Sequence, residues 1–226
     1  RSLFLKTFQL LHKQKIESLS LEYQEYEHKT TGAKHIHLAS DNKENVFMVA
    51  FRTIPEDSTG VAHILEHTVL CGSKKFPVRD PFFSMLKRSM NTFMNAFTSS
   101  DWTAYPFASQ NQKDFDNLLS VYLDSVFFPN LNELDFAQEG HRLEFSELHN
   151  RKSELVNKGI VFNEMKGAMS SVNSILWQTI TKNLFSNTTY HFNSGGEPEE
   201  IVKLTYEHFK NFHETHYHPS LSLIHI

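Results

Sequence analysis

The chain has 226 residues, of which 39% are hydrophobic and 21% are charged, and its formal net charge at pH 7 is -4. This length is sufficient to bury a hydrophobic core, and the polarity predicts a soluble globular protein. The charge balance provides no basic surface for nucleic acid, and no apolar run approaches the roughly 20 residues that span a bilayer. We therefore expect neither nucleic acid nor a membrane as a partner.

Extended segments are predicted near the start of the chain. Between residues 22 and 53 the pattern indicates three short strands, and β-branched and aromatic residues are most enriched over 34–39 and 45–52. After residue 58 the apolar residues recur at helical spacing. This spacing predicts a helix over 60–70 that ends near Gly72.

The rest of the chain alternates between helical and extended patterns. The predicted elements are a short helix over 81–89, strands over 91–109 with a turn at 99–101, and helices over 113–128, 133–148, 161–183 and 205–216. Strands followed by helices with further strands predict an α+β layered domain. We expect a mixed or antiparallel sheet packed against helices.

Cysteine usage restricts the redox and metal chemistry. Cys71 is the one cysteine, so no disulfide forms within the chain and several thiolates cannot bind zinc together. A single cysteine suits a reducing, intracellular compartment. Residues 1–15 are basic and apolar without the continuous apolar segment of a secretory signal, which is consistent with the end of a longer leader.

The segment HILEH at residues 63–67 carries the clearest chemical signal. Side chains four residues apart on a helix lie one turn apart on one face, so His63 and His67 can bind one metal ion together. Glu66 stands directly before the second histidine, which is the inverted order of a zinc-peptidase motif.

A hydrolytic zinc site needs a third protein ligand and an open position for water, and two histidines with one carboxylate are a common set. Glu66 is required as a free base that takes a proton from water. Glu164 is favoured as the third ligand, because small residues around it permit close packing against the first helix. On the sequence alone three other glutamates remain alternatives: Glu139, Glu144 and Glu147.

A series of short segments follows one another along the chain: HILEHTVLCGS at 63–73, RDPFF at 79–83, TFMNAFT at 92–98, QEG at 138–140, FNEMKGA at 162–168, SGG at 194–196 and HYHP at 216–219. In this order the segments resemble the presequence protease branch of the pitrilysin and insulysin metallopeptidases. The resemblance covers most of the chain, from about residue 46 to residue 220.

The resemblance implies a function and a set of site residues. It implies that one zinc ion per chain is bound by His63, His67 and Glu164, and that Glu66 is the general base. It also implies an edge strand that pairs with the main chain of an extended substrate, formed by Asn95, Ala96, Phe97 and Thr98. The expected substrates are unfolded peptides such as cleaved targeting presequences. The expected compartment is the mitochondrial matrix in a eukaryote and the cytoplasm in a bacterium.

The chain departs from the family pattern in two respects. Enzymes of this family are several times longer and consist of two similar halves, so we interpret residues 1–226 as one C-terminally truncated catalytic domain whose partner is the missing C-terminal half. The family pattern also stops after Ser220. Residues 221–226 resemble a translated sequencing adapter, and we hypothesise that they are not native.

Other interpretations stay open at this stage. The chain is either a peptidase, a non-catalytic relative that binds peptides or a subunit, or a zinc-binding fragment that is inactive without its second half. The retention of Glu66 together with all three predicted ligands favours catalysis. We interpret His213, His216 and His218 as packing or surface residues, and Cys71 as a small buried side chain, because no base is placed to activate it.

Overall fold

The computed structural model describes residues 6–225, and within them a mixed eight-stranded sheet is the central element. The strands of the chain are β1 (Phe8–Ile16), β2 (Leu21–His28), β3 (Lys34–Ala39), β4 (Asn45–Phe51), β5 (Asn91–Met94), β6 (Phe97–Thr98), β7 (Thr103–Ser109), β8 (Arg142–Phe145), β9 (Leu155–Lys158) and β10 (Ser222–His225). The sheet order is β1-β2-β3-β10-β4-β7-β5, with β6 also on β7. The pair β10 and β3 is parallel, and the other pairs are antiparallel.

Helices cover the sheet and extend beyond it. They are α1 (Val61–Val69), α2 (Pro81–Arg88), α3 (Gln112–Phe127), α4 (Glu133–Glu139), α5 (Ile160–Ala168), α6 (Val172–Leu184), α7 (Pro198–Ile201) and α8 (Tyr206–His216). The strands β8 and β9 form a separate antiparallel hairpin between α4 and α5. The predicted α+β fold with a mixed sheet and packed helices is therefore confirmed. Among residues 6–225, no helix has the length and apolar character that a membrane span requires.

The hydrophobic core lies between the sheet and the helices. Alternate residues of β4, Phe47, Val49 and Phe51, are buried, because successive side chains of a strand point to opposite faces. Along α1 the apolar residues recur at helical spacing, and Ile64 and Leu65 are completely buried. This burial fixes α1, and therefore the residues of the HILEH motif, against the rest of the domain.

Two long helices predicted from the sequence are wrong in extent. The stretch predicted as one helix over 161–183 is two helices, because Ser170 and Ser171 interrupt it. The Ser170 hydroxyl donates to the Gly167 carbonyl over 2.6 Å, and Ser171 adopts an extended conformation before α6. Serine side chains compete with helical hydrogen bonds in this way.

The helix predicted over 133–148 ends at Glu139. The amide of Gly140 closes the last turn by donating to the Phe136 carbonyl over 2.8 Å. The chain then enters the β8–β9 hairpin, whose two short strands have mixed polarity and lie largely at the surface. Glycine at this position is a common helix end.

The two ends of the described chain form strands that the sequence did not predict. β1 lies at the edge of the sheet and is mostly exposed, so its side chains show little apolar alternation. Residues 1–5 of the segment that we interpreted as a leader lie outside the described residues. β10 inserts between β3 and β4. The hypotheses that residues 221–226 are not native and that the chain is one truncated domain stay predictions.

Candidate metal and catalytic site

His63 and His67 lie one turn apart on α1, as their spacing predicts. Their ring centroids are 5.1 Å apart and the ring planes are nearly perpendicular, at 77°. His63 is buried, with 9% of its surface exposed, and the side chain of His67 is 25% exposed. The two imidazoles are therefore available from one side of α1 only.

Each imidazole has a hydrogen-bond partner at its Nδ1 atom. His63 Nδ1 is 3.0 Å from the Gly195 carbonyl oxygen, and His67 Nδ1 is 3.1 Å from Oε2 of Glu139. Because these oxygens accept hydrogen bonds, the proton of each neutral ring belongs on Nδ1. The Nε2 lone pair of each ring is then free to bind a metal ion, which is the protonation pattern of metal-binding histidines.

Glu164 projects from α5 toward both free nitrogens. Its Oε2 atom is 3.8 Å from Nε2 of His63 and 3.8 Å from Nε2 of His67. Ligands about 2.0–2.1 Å from a tetrahedral zinc ion are roughly 3.4 Å apart, so small movements would bring these atoms to binding distance. Within residues 6–225, these three side chains form the one group of three or more His, Cys, Asp or Glu residues whose ligand atoms lie within 4.8 Å of one another.

Glu66 lies next to this group but outside it. Its Oε2 atom accepts a hydrogen bond of 2.5 Å from the hydroxyl of Thr98 in β6. Glu66 also lines a cavity of about 260 Å³ beside His67, with Phe82, Phe83 and Ala96 among the other lining residues. A carboxylate that lines a largely apolar cavity next to a potential metal site can exchange a proton with water there.

The predicted substrate-binding segment lies along the same cavity. Asn95 and Ala96 line the cavity, while Phe97 and Thr98 form β6 and pair with Ala104 and Thr103 of β7. In the described part of the chain β7 is the one strand that pairs with β6. This arrangement is compatible with pairing to an extended peptide.

The other predicted ligands and histidines lie elsewhere or have other partners. Glu144 pairs with Arg142 over 2.8 Å, and Glu147 accepts a hydrogen bond of 2.7 Å from Asn150. His213 lies 2.9 Å from the Val126 carbonyl oxygen, and the His216 ring stacks on Phe212 with centroids 3.8 Å apart. His218 caps a short turn through its 3.2 Å contact with the Ser220 amide.

The ionisation of the site follows from burial and neighbouring charges. Burial acts to lower the pKa of His67, but the hydrogen bond with Glu139 and the charges of Glu66 and Glu164 outweigh it, and the pKa is raised. Burial opposes ionisation of Glu139, but its hydrogen bonds with His67 and Gln138 lower the pKa overall. Burial raises the pKa of the half-buried Cys71 thiol well above its ordinary value, so this thiol is a poor nucleophile.

Close backbone contacts hold the site together, and sequence reasoning missed them. Gly60 has a φ of +67°, and a Cβ atom there would lie 2.7 Å from the carbonyl oxygen of Gly195, whose partner is His63. A Cβ atom on Gly159 would lie 1.9 Å from the carbonyl oxygen of Gly140. The glycines of the motifs QEG and SGG were visible in the sequence, but only the fold shows which backbones they bring together.

Comparison with known proteins identifies the family of this chain. Residues 52–171, slightly more than half of the chain, match the family described as Insulinase (peptidase family M16). The protein therefore belongs to this family of peptidases, whose members are zinc metallopeptidases. The predicted resemblance is confirmed.

Individual relatives agree with this assignment. The chain is 61% identical over 193 residues to the mitochondrial presequence protease of Xenopus tropicalis, covering 85% of this chain and 19% of that protein. It is 49% identical over 213 residues to the protein of the same name from Schizosaccharomyces pombe, covering 94% of this chain and 22% of that protein. The chain thus spans about a fifth of the length of these relatives.

A solved structure supports the fold. The crystal structure of pitrilysin superimposes with a TM-score of 0.72 over 97% of this chain and 22% of the pitrilysin chain. The two sequences are 18% identical in this comparison, so the similarity supports the architecture and carries no residue roles.

Proposed function

We propose that this chain contains the zinc site and general base of an endopeptidase that cleaves unfolded peptides. His63, His67 and Glu164 would bind one zinc ion, which supplies a Lewis acid that polarises the scissile carbonyl and acidifies water. One observation supports this proposal above all: Oε2 of Glu164 lies 3.8 Å from Nε2 of His63 and 3.8 Å from Nε2 of His67. Two histidines and one carboxylate are a donor set that suits catalytic zinc.

In this proposal Glu66 moves the proton. One carboxylate oxygen accepts the hydrogen bond from Thr98, which leaves the other oxygen free to take a proton from the attacking water. As the peptide bond breaks, Glu66 passes this proton to the departing amine, so the base is regenerated. His63 and His67 would keep their Nδ1 protons and donate them to the Gly195 carbonyl and the Glu139 carboxylate throughout.

The proposed substrate lies along β6 as an added strand. The segment Asn95, Ala96, Phe97 and Thr98 would pair with the main chain of the peptide, and this mode of binding tolerates many sequences. The relatives are named mitochondrial presequence proteases, which supports presequences as substrates and the mitochondrion as the compartment; we propose cleaved targeting presequences and the matrix. The rest of a longer enzyme is the proposed partner that would complete the peptide-binding site.

A second candidate function follows from the length of the relatives. Because the chain spans about a fifth of their length, the 226-residue chain alone could bind zinc without turning over peptide. Hydrolysis of an unfolded peptide by the 226-residue chain, compared with the full-length enzyme carrying these residues, separates this candidate from a self-sufficient peptidase.

The test of the mechanism is Glu66→Gln in the full-length enzyme. We expect the variant to bind zinc as the parent does and to lose peptide hydrolysis, because the amide cannot accept the proton. Glu147→Gln is the matched control, because Glu147 is exposed and its carboxylate accepts a hydrogen bond from Asn150. It should leave zinc binding and peptide hydrolysis unchanged. A Glu66→Gln enzyme that cleaves peptide at the parent rate would refute the assignment of the base.

A further inference from the structure

Glu139 is a buried carboxylate at the end of α4, with only 7% of its surface exposed. Burying a carboxylate is costly unless its oxygens have partners. Both oxygens of Glu139 have one: Oε2 lies 3.1 Å from Nδ1 of His67, and Oε1 accepts a hydrogen bond of 3.0 Å from the side-chain amide of Gln138. The carboxylate is thus held in one orientation, with one oxygen on the imidazole.

The backbone beneath this carboxylate is fixed by the contact that also places Glu164. Gly140 follows Glu139 directly. A Cβ atom on Gly159 would lie only 1.9 Å from the carbonyl oxygen of Gly140. Gly159 in turn precedes α5, the helix of Glu164. The close approach of these two glycines therefore sets the position of Glu139 relative to Glu164, on either side of the His67 ring.

Glu139 contacts the wrong nitrogen to be a ligand of the same metal ion. It lies at Nδ1 of His67, whereas Glu164 lies 3.8 Å from Nε2. The two nitrogens of an imidazole point away from each other, so a metal ion at Nε2 is out of reach of a carboxylate hydrogen-bonded at Nδ1. Glu139 is therefore not a ligand of this metal site; it contacts the side of the His67 ring that faces away from the metal.

We propose that Glu139 is a positioning residue of the zinc site, and this inference rests on the proposed function. It keeps the proton of His67 on Nδ1, directs Nε2 toward Glu164 and increases the electron density that the ring offers to the metal. The partner of His63 at the same position is the neutral carbonyl of Gly195. The negative charge therefore acts on one of the two histidines, and the site is asymmetric.

The test is a matched pair of substitutions, Glu139→Gln and Glu144→Gln, in the 226-residue chain. Zinc affinity is measured by competition with a chromophoric chelator, and the visible absorption spectrum of the cobalt(II)-loaded protein reports ligand geometry. We expect Glu139→Gln to weaken zinc binding about tenfold to a hundredfold, the usual effect of losing such an outer partner, and to alter the cobalt spectrum. Glu144→Gln, at an exposed pair with Arg142, should change neither.

A purely structural role would give a different result. If Glu139 only stabilises the fold, Glu139→Gln lowers the thermal unfolding midpoint of the zinc-free protein and leaves the cobalt spectrum of the folded fraction as in the parent, which overturns the proposal. Unchanged zinc affinity with an unchanged cobalt spectrum also overturns it. If Glu139→Gln does not fold, Gln138→Leu is measured instead, because it removes the hydrogen bond to Oε1 of Glu139 and leaves His67 unchanged. The proposal then requires zinc affinity to fall in Gln138→Leu, by less than the tenfold to hundredfold expected for Glu139→Gln.

Failure of this inference is distinguishable from failure of the proposed function. His63→Ala removes a proposed ligand and does not involve Glu139. A parent chain that binds no zinc, or binds it equally well after His63→Ala, contradicts the proposed function itself. Zinc binding that His63→Ala abolishes and Glu139→Gln leaves unchanged contradicts only the role of Glu139.

Discussion

Neighbouring residues on α1 are directed to different tasks by their hydrogen-bond partners. His67 is held through Nδ1 by Glu139, while Glu66, one residue earlier, is held by the hydroxyl of Thr98. A neutral histidine that donates from Nδ1 has a free lone pair on Nε2. A carboxylate that accepts one hydrogen bond on one oxygen can still accept a proton on the other. The difference between proposed ligand and proposed base is therefore set by residues distant in the sequence.

The hydrogen bond from Thr98 should hold the carboxylate of Glu66 in place for proton transfer. Thr98→Val keeps the shape and the backbone of β6 but removes the donor. Hydrogen bonds to charged groups contribute about 1.5–3 kcal/mol, so we expect kcat of the full-length enzyme to fall about tenfold or more with KM little changed. Thr98→Ser should restore most of the rate. A Thr98→Val enzyme with raised KM and parent kcat would show that Thr98 acts on substrate binding instead.

Sequence reasoning identified the residues of the proposed site but not their supports. The spacing of His63 and His67 and the motif around Glu164 predict three side chains that the fold does bring together. Glu139 was one of the alternative third ligands, because a sequence does not show which nitrogen of a histidine a carboxylate approaches. The carbonyl of Gly195 could not be found from side-chain chemistry at all, since any residue has a carbonyl.

At the scale of elements, the contact between Gly140 and Gly159 decides where α5 lies. No side chain fits between these backbones, because a Cβ atom on Gly159 would overlap the Gly140 carbonyl. Gly140 and Gly159 flank the β8–β9 hairpin, in which Arg142 pairs with Lys158, and their backbones can approach this closely only where a side chain is absent. The position of Glu164 therefore depends on a residue without any functional group.

Gly159→Ala and Gly167→Ala form a matched test of this contact. The first variant should lose about 1–3 kcal/mol of stability through overpacking and should bind zinc more weakly, because α5 is displaced. Gly167 lies in the same helix with no atom within 4 Å of an added Cβ, so Gly167→Ala should be neutral or stabilise by up to about 1 kcal/mol. Urea unfolding and zinc titration measure both effects. Equal behaviour of the two variants would contradict this account of α5.

The elements that were predicted correctly are those with strong local patterns. The strand predicted over 34–39 coincides with β3, and the predictions for β4, α1 and α8 differ from the structure by a few residues at most. Three of these segments, β4, α1 and α8, bury apolar residues at the spacing of their element, so periodicity reports the core directly, whereas β3 was predicted from its residue types. The exposed strand β1 and the β8–β9 hairpin bury little, and their pairing depends on neighbours that a local pattern does not contain.

At the scale of the whole molecule, α6 differs from the other long helices because none of its residues is buried. Val172, Leu176, Trp177 and Leu184 are all more than half exposed. Within residues 6–225, α6 contacts the short turn Thr189–His191, where Nδ1 of His191 lies 2.9 Å from the carbonyl oxygen of Lys182.

The packing of α8 on α3 makes the stability of the whole domain depend on pH. Burial lowers the pKa of His213, which lies 2.9 Å from the Val126 carbonyl. The folded protein therefore resists protonation of His213, while the unfolded chain takes up a proton below about pH 6.5. This contribution is fully present above that pH and is lost as the pH falls toward the lowered folded value.

The expected consequence is measurable by substitution. Between about pH 7.5 and about pH 5.5, the free energy of unfolding of the zinc-free chain should fall less in His213→Gln than in the parent, because glutamine does not titrate. Urea unfolding at both pH values gives the two differences. The same decrease in both proteins would mean that other groups account for the acid sensitivity.

X-ray absorption at the zinc edge shows whether His63, His67 and Glu164 bind one zinc ion together. For the zinc-loaded 226-residue chain we predict one zinc ion per chain, two imidazole nitrogens and further oxygen ligands at roughly 2.0–2.2 Å, with the signal of one imidazole lost in His67→Ala. A sulfur ligand at about 2.3 Å, or an unchanged spectrum in His67→Ala, would contradict the account.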